Sequence, residues 1–155
     1  MTSLQTDIRQ VGIIVVTHAD YGSALLRAAE YIAGPAQDCA FIQVDATLEV
    51  TDTVNRLKEA ASRLDNGQGV LVLTDMFGGT PTNLSLSLLG ARSDVEVLTG
   101  VNLPMLLKVL DNRQMPLTEL AESARKAGCE GIIAAGTVLR AKNDSRREGN
   151  TDSSK

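Results

Sequence analysis

Val70-Leu71-Val72-Leu73-Thr74-Asp75-Met76-Phe77-Gly78-Gly79-Thr80-Pro81-Thr82-Asn83 decides the fold. Its first five residues are aliphatic or β-branched without a break. That is the pattern of a strand covered on both faces, as in a parallel sheet between helices. Gly78 and Gly79 then let the backbone turn tightly and approach a ligand closely. Thr80 is a good N-cap and Pro81 a good first helical residue. A helix is therefore expected to open there, with Leu84, Leu88 and Leu89 facing inward.

Similar aliphatic runs recur on either side: Val11–Val16, Cys39–Val44 and Val95–Leu98. Between them lie segments of helical periodicity. Leu25, Leu26, Ala29 and Ile32 share one stripe of Ser23–Ala33. Val54, Leu57, Ala61 and Leu64 share one stripe of Val50–Leu64. A further helix opens at Pro104 and runs through Leu110, and Thr118–Lys126 is a fifth, ended near Gly128. Strands alternating with helices predict an α/β domain with an open, mainly parallel sheet and helices on both faces. Gly131–Leu139 is predicted as a last strand. The chain divides into an N-terminal extension, residues 1–10, one domain, 11–139, and a tail, 140–155, expected to be unstructured.

The 155 residues suit one domain and need no disulfide or metal staple. With aromatics at 3% and no tryptophan, a base-stacking nucleic-acid platform is disfavoured. The tail from Arg140 carries five basic residues against three acidic ones, which leaves 10 basic and 16 acidic in the body. An acidic body repels phosphate backbones and anionic lipid, so neither nucleic acid nor membrane is a natural partner. Cys39 and Cys129 have no metal-binding spacing and are expected to be reduced core thiols of a cytoplasmic protein. No leader and no span-length apolar stretch is seen, so no membrane insertion is expected.

In open parallel sheets, ligands bind beyond the carboxyl ends of the strands, where strand order reverses. His18, the only histidine, follows the first strand, and Asp75 follows the third. If those strands are neighbours, the two side chains face each other. A carboxylate hydrogen-bonded to one ring nitrogen fixes the tautomer and leaves the other nitrogen as a nucleophile. The helix opening at Thr80 points free N–H groups and its positive dipole end at the same place, which suits a phosphoryl group. The lysine of a Walker loop is missing, as is a dinucleotide fingerprint after the first strand. One histidine without clustered thiolates makes a metal site improbable, and no cofactor is expected. A phosphoryl group brings up to about −2 charge. Each charge pair with Asp75, at about 6–7 Å, costs roughly 2–3 kcal/mol at an effective dielectric near 20. Such a group is held but can leave, which suits a transient carrier.

Three stretches also carry a resemblance: Val11–Ala33 with Thr17-His18, then Val72–Asn83, then Gly100-Val101-Asn102-Leu103-Pro104-Met105-Leu106. In order and spacing they resemble the mannose-family enzyme IIA of the bacterial phosphoenolpyruvate:sugar phosphotransferase system, over roughly residues 11–135. The resemblance implies a sheet in order 2-1-3-4 and an antiparallel strand exchanged in a homodimer, for which Gly131–Leu139 is the candidate. It implies that His18 takes a phosphoryl group from the phosphocarrier HPr and passes it to an enzyme IIB for sugar uptake. Asp75 would orient the ring, and Gly78, Gly79 and Thr80 would bind the phosphoryl group. Thr17, Asn83 and Asn102 would have a structural or site-lining role. Family members commonly have glycine where this chain has Ala19, and no fused enzyme IIB is expected from the chain's length.

Two other readings remain open at this level. One is a regulatory protein whose His18 phosphorylation state controls partner binding without transport. The other is a phosphometabolite-binding enzyme built on the Gly78–Asn83 loop, which the missing lysine and missing acidic metal ligands oppose.

Overall fold

Uninterrupted aliphatic runs place β1 (Gly12–His18) and β3 (Val70–Thr74) at the centre of the sheet, where helices can cover both faces. The structure is a computed structural model and describes residues 9–45, 47 and 49–151, with side chains through Asn143. The remaining elements are α1 (Tyr21–Ala33), β2 (Cys39–Val44), α2 (Val50–Leu64), α3 (Thr80–Leu89), β4 (Val95–Thr99), α4 (Leu103–Asp111), α5 (Leu117–Glu130) and α6 (Ala135–Thr151). The sheet is parallel throughout, in the order β2-β1-β3-β4. In register, Ile14 lies between Ala40 and Val72, and His18 lies beside Val44.

Alternation along the strands divides the core in two. Ile13, Val15, Leu71 and Leu73 pack with Ala29, Met105, Leu106 and Leu120, on the face covered by α1, α4 and α5. Ile14, Val16, Val70 and Val72 pack with Leu57, Ala61, Leu64 and Leu88, on the face covered by α2 and α3. The helical stripes behave largely as their spacing predicts, but Ile32 and Leu89 are exposed. At the amino end of the sheet, buried Arg113 ties three segments together. Its guanidinium donates to Val11 O at 2.8 Å, to Asp38 O at 3.2 Å and to Gln37 O. Among the described residues, no helix is long and apolar enough to cross a membrane.

Three expectations need correction. Gly131–Leu139 is not a strand: Gly131 closes α5, and α6 begins at Ala135. A strand needs a neighbour for its backbone groups. Without one, Ala134, Ala135, Leu139, Arg140, Ala141 and Lys142, all good helix formers, satisfy theirs locally. The tail is accordingly helical through Thr151, not unstructured, while residues 1–8 and 152–155 lie outside the described residues. Cys129 is exposed on α5, and only Cys39 is even half-buried. Burial pushes the Cys39 thiol up to about 11, although Arg113 pulls the other way.

Candidate functional site

The neighbouring of β1 and β3 brings His18 and Asp75 together at the carboxyl end of the sheet. Asp75 Oδ2 accepts from His18 Nδ1 at 2.7 Å and from the His18 backbone N–H at 2.9 Å. Its Oδ1 accepts from the Met76 N–H at 2.9 Å. Burial alone would raise the Asp75 carboxyl. The His18 and Met76 hydrogen bonds outweigh it and hold the group below the ordinary carboxylate range. The Asp75 side chain is 14% exposed and that of His18 48%. A sheltered carboxylate therefore grips one ring nitrogen of an accessible imidazole. With Nδ1 carrying the hydrogen toward Asp75, Nε2 presents a lone pair, and it has no hydrogen-bond partner among the described residues.

The short connection after β1 fixes the ring's starting point. Buried Thr17 accepts the Gly22 N–H at 2.8 Å, so it holds the first turn of α1 and does not line the site. Ala19 takes a left-handed φ of 47°, which explains why glycine suits this position. Ala19→Gly is expected to raise stability by roughly 0.5–1 kcal/mol, the relieved left-handed strain less the entropy that glycine adds to the unfolded chain. Urea unfolding would measure it.

Asp75 leads directly into the loop before α3. Thr82 Oγ1 donates to Met76 O at 2.7 Å and meets Thr74 Oγ1 at 2.6 Å, which pins the loop across its base. Gly78 turns at φ 79°. Gly79, not Thr80, is the N-cap residue, and Thr80 and Pro81 are the first two residues of the helix. The helix starts one residue earlier than expected because the backbone of Gly79, at φ −79° and ψ 167°, already supplies the extended cap geometry. Its carbonyl accepts the Asn83 N–H at 3.0 Å, so the N–H groups of Gly79, Thr80 and Thr82 have no intrahelical acceptor. A Cβ on Gly79 would stand 3.0 Å from His18 Cε1 and 3.6 Å from Nε2. The opening of α3 therefore lies against the ring edge that carries the free nitrogen.

Beside the ring is a cleft of about 260 Å³, lined by His18, Val44, Asp45, Val50, Thr53, Thr80 and Leu84. Asn83 is exposed and does not line it. Asn102 lies away from it and caps α4, its Oδ1 accepting the Met105 N–H at 3.0 Å while Nδ2 donates to Gly128 O at 3.2 Å. Sequence reasoning missed Thr82, Thr53 and Tyr21, whose hydroxyl donates to Val101 O at 3.0 Å. Threonines at helix starts are common, and no spacing marks these. Among the described residues, no three histidine, cysteine, aspartate or glutamate side chains gather as metal ligands do.

Comparison with known proteins gives the chain its family. The family model EIIA-man, described as the PTS system fructose IIA component, matches residues 12–126. The chain belongs to the EIIA-man family. The sorbose-specific EIIA component of Lacticaseibacillus casei is 31% identical over 120 residues, 74% of this chain and 83% of that one. The mannose-specific EIIAB component of Escherichia coli strain K12 is 29% identical over 126 residues, 80% of this chain. This EIIA-man chain spans only 39% of that relative's length. Among solved structures, a phosphotransferase system component EIIA from Streptococcus agalactiae superposes with a TM-score of 0.75 at 30% identity. That match covers 82% of this EIIA-man chain and 98% of the other. Membership makes the chain a phosphotransferase-system component of the IIA type.

Proposed function

We propose that this IIA component carries a phosphoryl group on His18 Nε2, taking it from the phosphocarrier HPr and giving it to an enzyme IIB during sugar uptake. The observation that carries the reading is the 2.7 Å contact of Nδ1 with Asp75, which leaves Nε2 free beside the opening of α3. In the uptake step the Nε2 lone pair forms the new N–P bond. The P–N bond to the donor's imidazole breaks, and its electron pair returns to that ring. The His18 ring becomes positively charged, and the Asp75 carboxylate offsets that charge through Nδ1–H. Thr80 and the backbone N–H groups of Gly79, Thr80 and Thr82 face the phosphoryl oxygens, and Gly78 shapes the turn that allows it. Little else is required, because phosphoryl transfer depends mainly on positioning and electrostatics.

The test is intact mass after mixing the protein with phosphoenolpyruvate, enzyme I and HPr. One acid-labile phosphoryl group that depends on HPr and disappears in His18→Ala is expected. A wild-type mass that never changes with an HPr competent for other IIA proteins sinks the reading.

We further infer a homodimer. Ile132, Ile133, Val138 and Leu139 form a run of exposed apolar side chains around the start of α6. β4 is an edge strand, and the Thr99 hydroxyl at its end is buried without a hydrogen-bond partner. A second copy covering the apolar run and the open edge of β4 would take both out of water. Leu139→Asp is expected to halve the mass measured by light scattering. An unchanged mass, or a wild type that is already monomeric, counts against the dimer.

A further inference from the structure

The cleft beside His18 has a feature that neither the loop before α3 nor the Asp75 contact uses. Thr53, in the first turn of α2, lines it and is only 2% exposed. Its backbone N–H bonds to Glu49 O at 3.3 Å, but its hydroxyl has no hydrogen-bond partner among the described residues. Four nearby buried hydroxyls are engaged: Thr17 with Gly22, Thr74 with Thr82, Thr82 with Met76, and Ser85 with Pro81. Among the described residues, the buried side-chain oxygen left without a partner is Thr99 Oγ1, so the Thr53 hydroxyl is not sealed in the core but reaches the cleft it lines. A hydroxyl with no protein partner, in a cleft shared with the sole histidine and opposite the opening of a helix, has an obvious class of partner.

We propose that the Thr53 hydroxyl is a further phosphoryl-contacting group, donating a hydrogen bond to an oxygen of the group carried on His18 Nε2. This rests on the phosphohistidine reading above. The cleft brings together what such a group needs. Thr80 and the first turn of α3 form one wall, and Val50 and Thr53 of the first turn of α2 form another. Two helix N-termini thus frame the place where the negative charge would sit. Val44, Val50 and Leu84 supply apolar walls, which strengthen a charge-assisted hydrogen bond by keeping water back. The one carboxylate lining the cleft, Asp45, is turned to its own loop, its Oδ1 accepting from the Thr47 N–H at 2.9 Å and from the Thr47 hydroxyl at 3.0 Å. About 260 Å³ is ample for a phosphoryl group.

The experiment compares wild type, Thr53→Val and Thr53→Ser. Each is mixed with HPr at fixed ratios of its phosphorylated and free forms, and the phosphorylated fraction is read by intact mass at equilibrium. That equilibrium compares separated proteins, so any change in how tightly HPr docks cancels. Thr53→Val, which keeps the shape and removes the hydroxyl, should shift the equilibrium toward phospho-HPr by about tenfold, the size expected for one hydrogen bond to a charged acceptor. Thr53→Ser should stay within about twofold of wild type. Thermal unfolding of the unphosphorylated proteins supplies the control: Thr53→Val should unfold at about the wild-type temperature, because the hydroxyl has no hydrogen bond within the protein to lose. An equilibrium for Thr53→Val within twofold of wild type overturns the proposal. So does a Thr53→Val protein that unfolds several degrees earlier, because the hydroxyl would then have a structural partner. A wild type that takes up no phosphoryl group overturns the phosphohistidine reading itself, and this inference with it, and is told apart from the other failures by the wild-type arm.

Discussion

Asp75→Asn is expected to slow phosphoryl uptake by His18 by about 10²–10⁴-fold while leaving the chain folded, the order of loss known when an orienting carboxylate becomes an amide. The native carboxylate accepts from both the His18 ring and the His18 backbone N–H through the same oxygen. An amide cannot do this in both of its orientations. With its NH₂ turned to Nδ1, it selects the tautomer that places the hydrogen on Nε2 and removes the nucleophile. With its oxygen turned to Nδ1, it keeps the tautomer but loses the charge that offsets the developing imidazolium. The damage falls on the chemical step, since Asp75 is sheltered and offers little surface to a partner. Rapid-quench measurement of uptake from phospho-HPr should therefore show a lower maximal rate with a nearly unchanged half-saturating donor concentration. Loss confined to the donor concentration would argue against the orienting role.

The same carboxylate sets a pH signature. Its folded-state pKa lies below the unfolded value, so its contribution to stability is complete above the unfolded carboxylate range, roughly pH 4. That contribution is lost as pH falls through the folded value. Asp94, held low mainly by its hydrogen bond with Arg92, acts in the same direction. Acid unfolding of Asp75→Asn should therefore be less steep than that of wild type below about pH 4, and the two curves should run parallel at neutral pH.

How far the sequence reaches is clearest at particular elements. β2, α2 and β3 have the bounds their apolar runs predict, because each run is closed by polar or glycine residues and buried on the side its period names. The meeting of His18 and Asp75 was legible as well. It needed only the order of the strands, which right-handed crossovers restrict to few choices. The hydroxyls were not legible. Thr53, Thr80 and Thr82 look alike in a string of letters; one is exposed at a helix start, one pins a loop, and one lines the cleft beside His18. Those differences come from which helix lies across from each, and that is settled by packing. Asn102 shows the same limit, since its side chain spans α4 and α5, and only their closeness makes it a cap and a tie. The segment after Gly131 misled for a related reason. Its Ile-Ile and Val-Leu pairs fit a strand as well as a helix, and the choice lies with what the segment has to pair with, not with its letters.

Gly79→Ala should lower the uptake rate by about 10–100-fold at almost no cost in stability. The backbone at Gly79 is ordinary extended chain, so alanine brings no conformational strain there. Its Cβ would, however, stand 3.0 Å from His18 Cε1 and 3.3 Å from Met76 Cγ, closer than side chains normally sit. Two neighbours can yield. Met76 is exposed and flexible, and the imidazole is half-exposed and held by hydrogen bonding at Nδ1 alone. Any swing of the ring about its Asp75 contact carries Nε2 away from the N–H groups at the start of α3, and a misplacement of about 1 Å can cost 10²-fold in rate. Gly78→Ala supplies the complementary control. At φ 79° an alanine is strained by roughly 1–2 kcal/mol, yet its Cβ would meet nothing within 4 Å. That variant should unfold at lower denaturant and still take up the phosphoryl group at a rate near wild type. The two adjacent glycines are thus expected to separate: one keeps room for the ring, and the other lets the chain turn. Equal losses of rate in both variants, or a Gly79→Ala rate equal to wild type, would mean that the imidazole is not confined by the opening of α3.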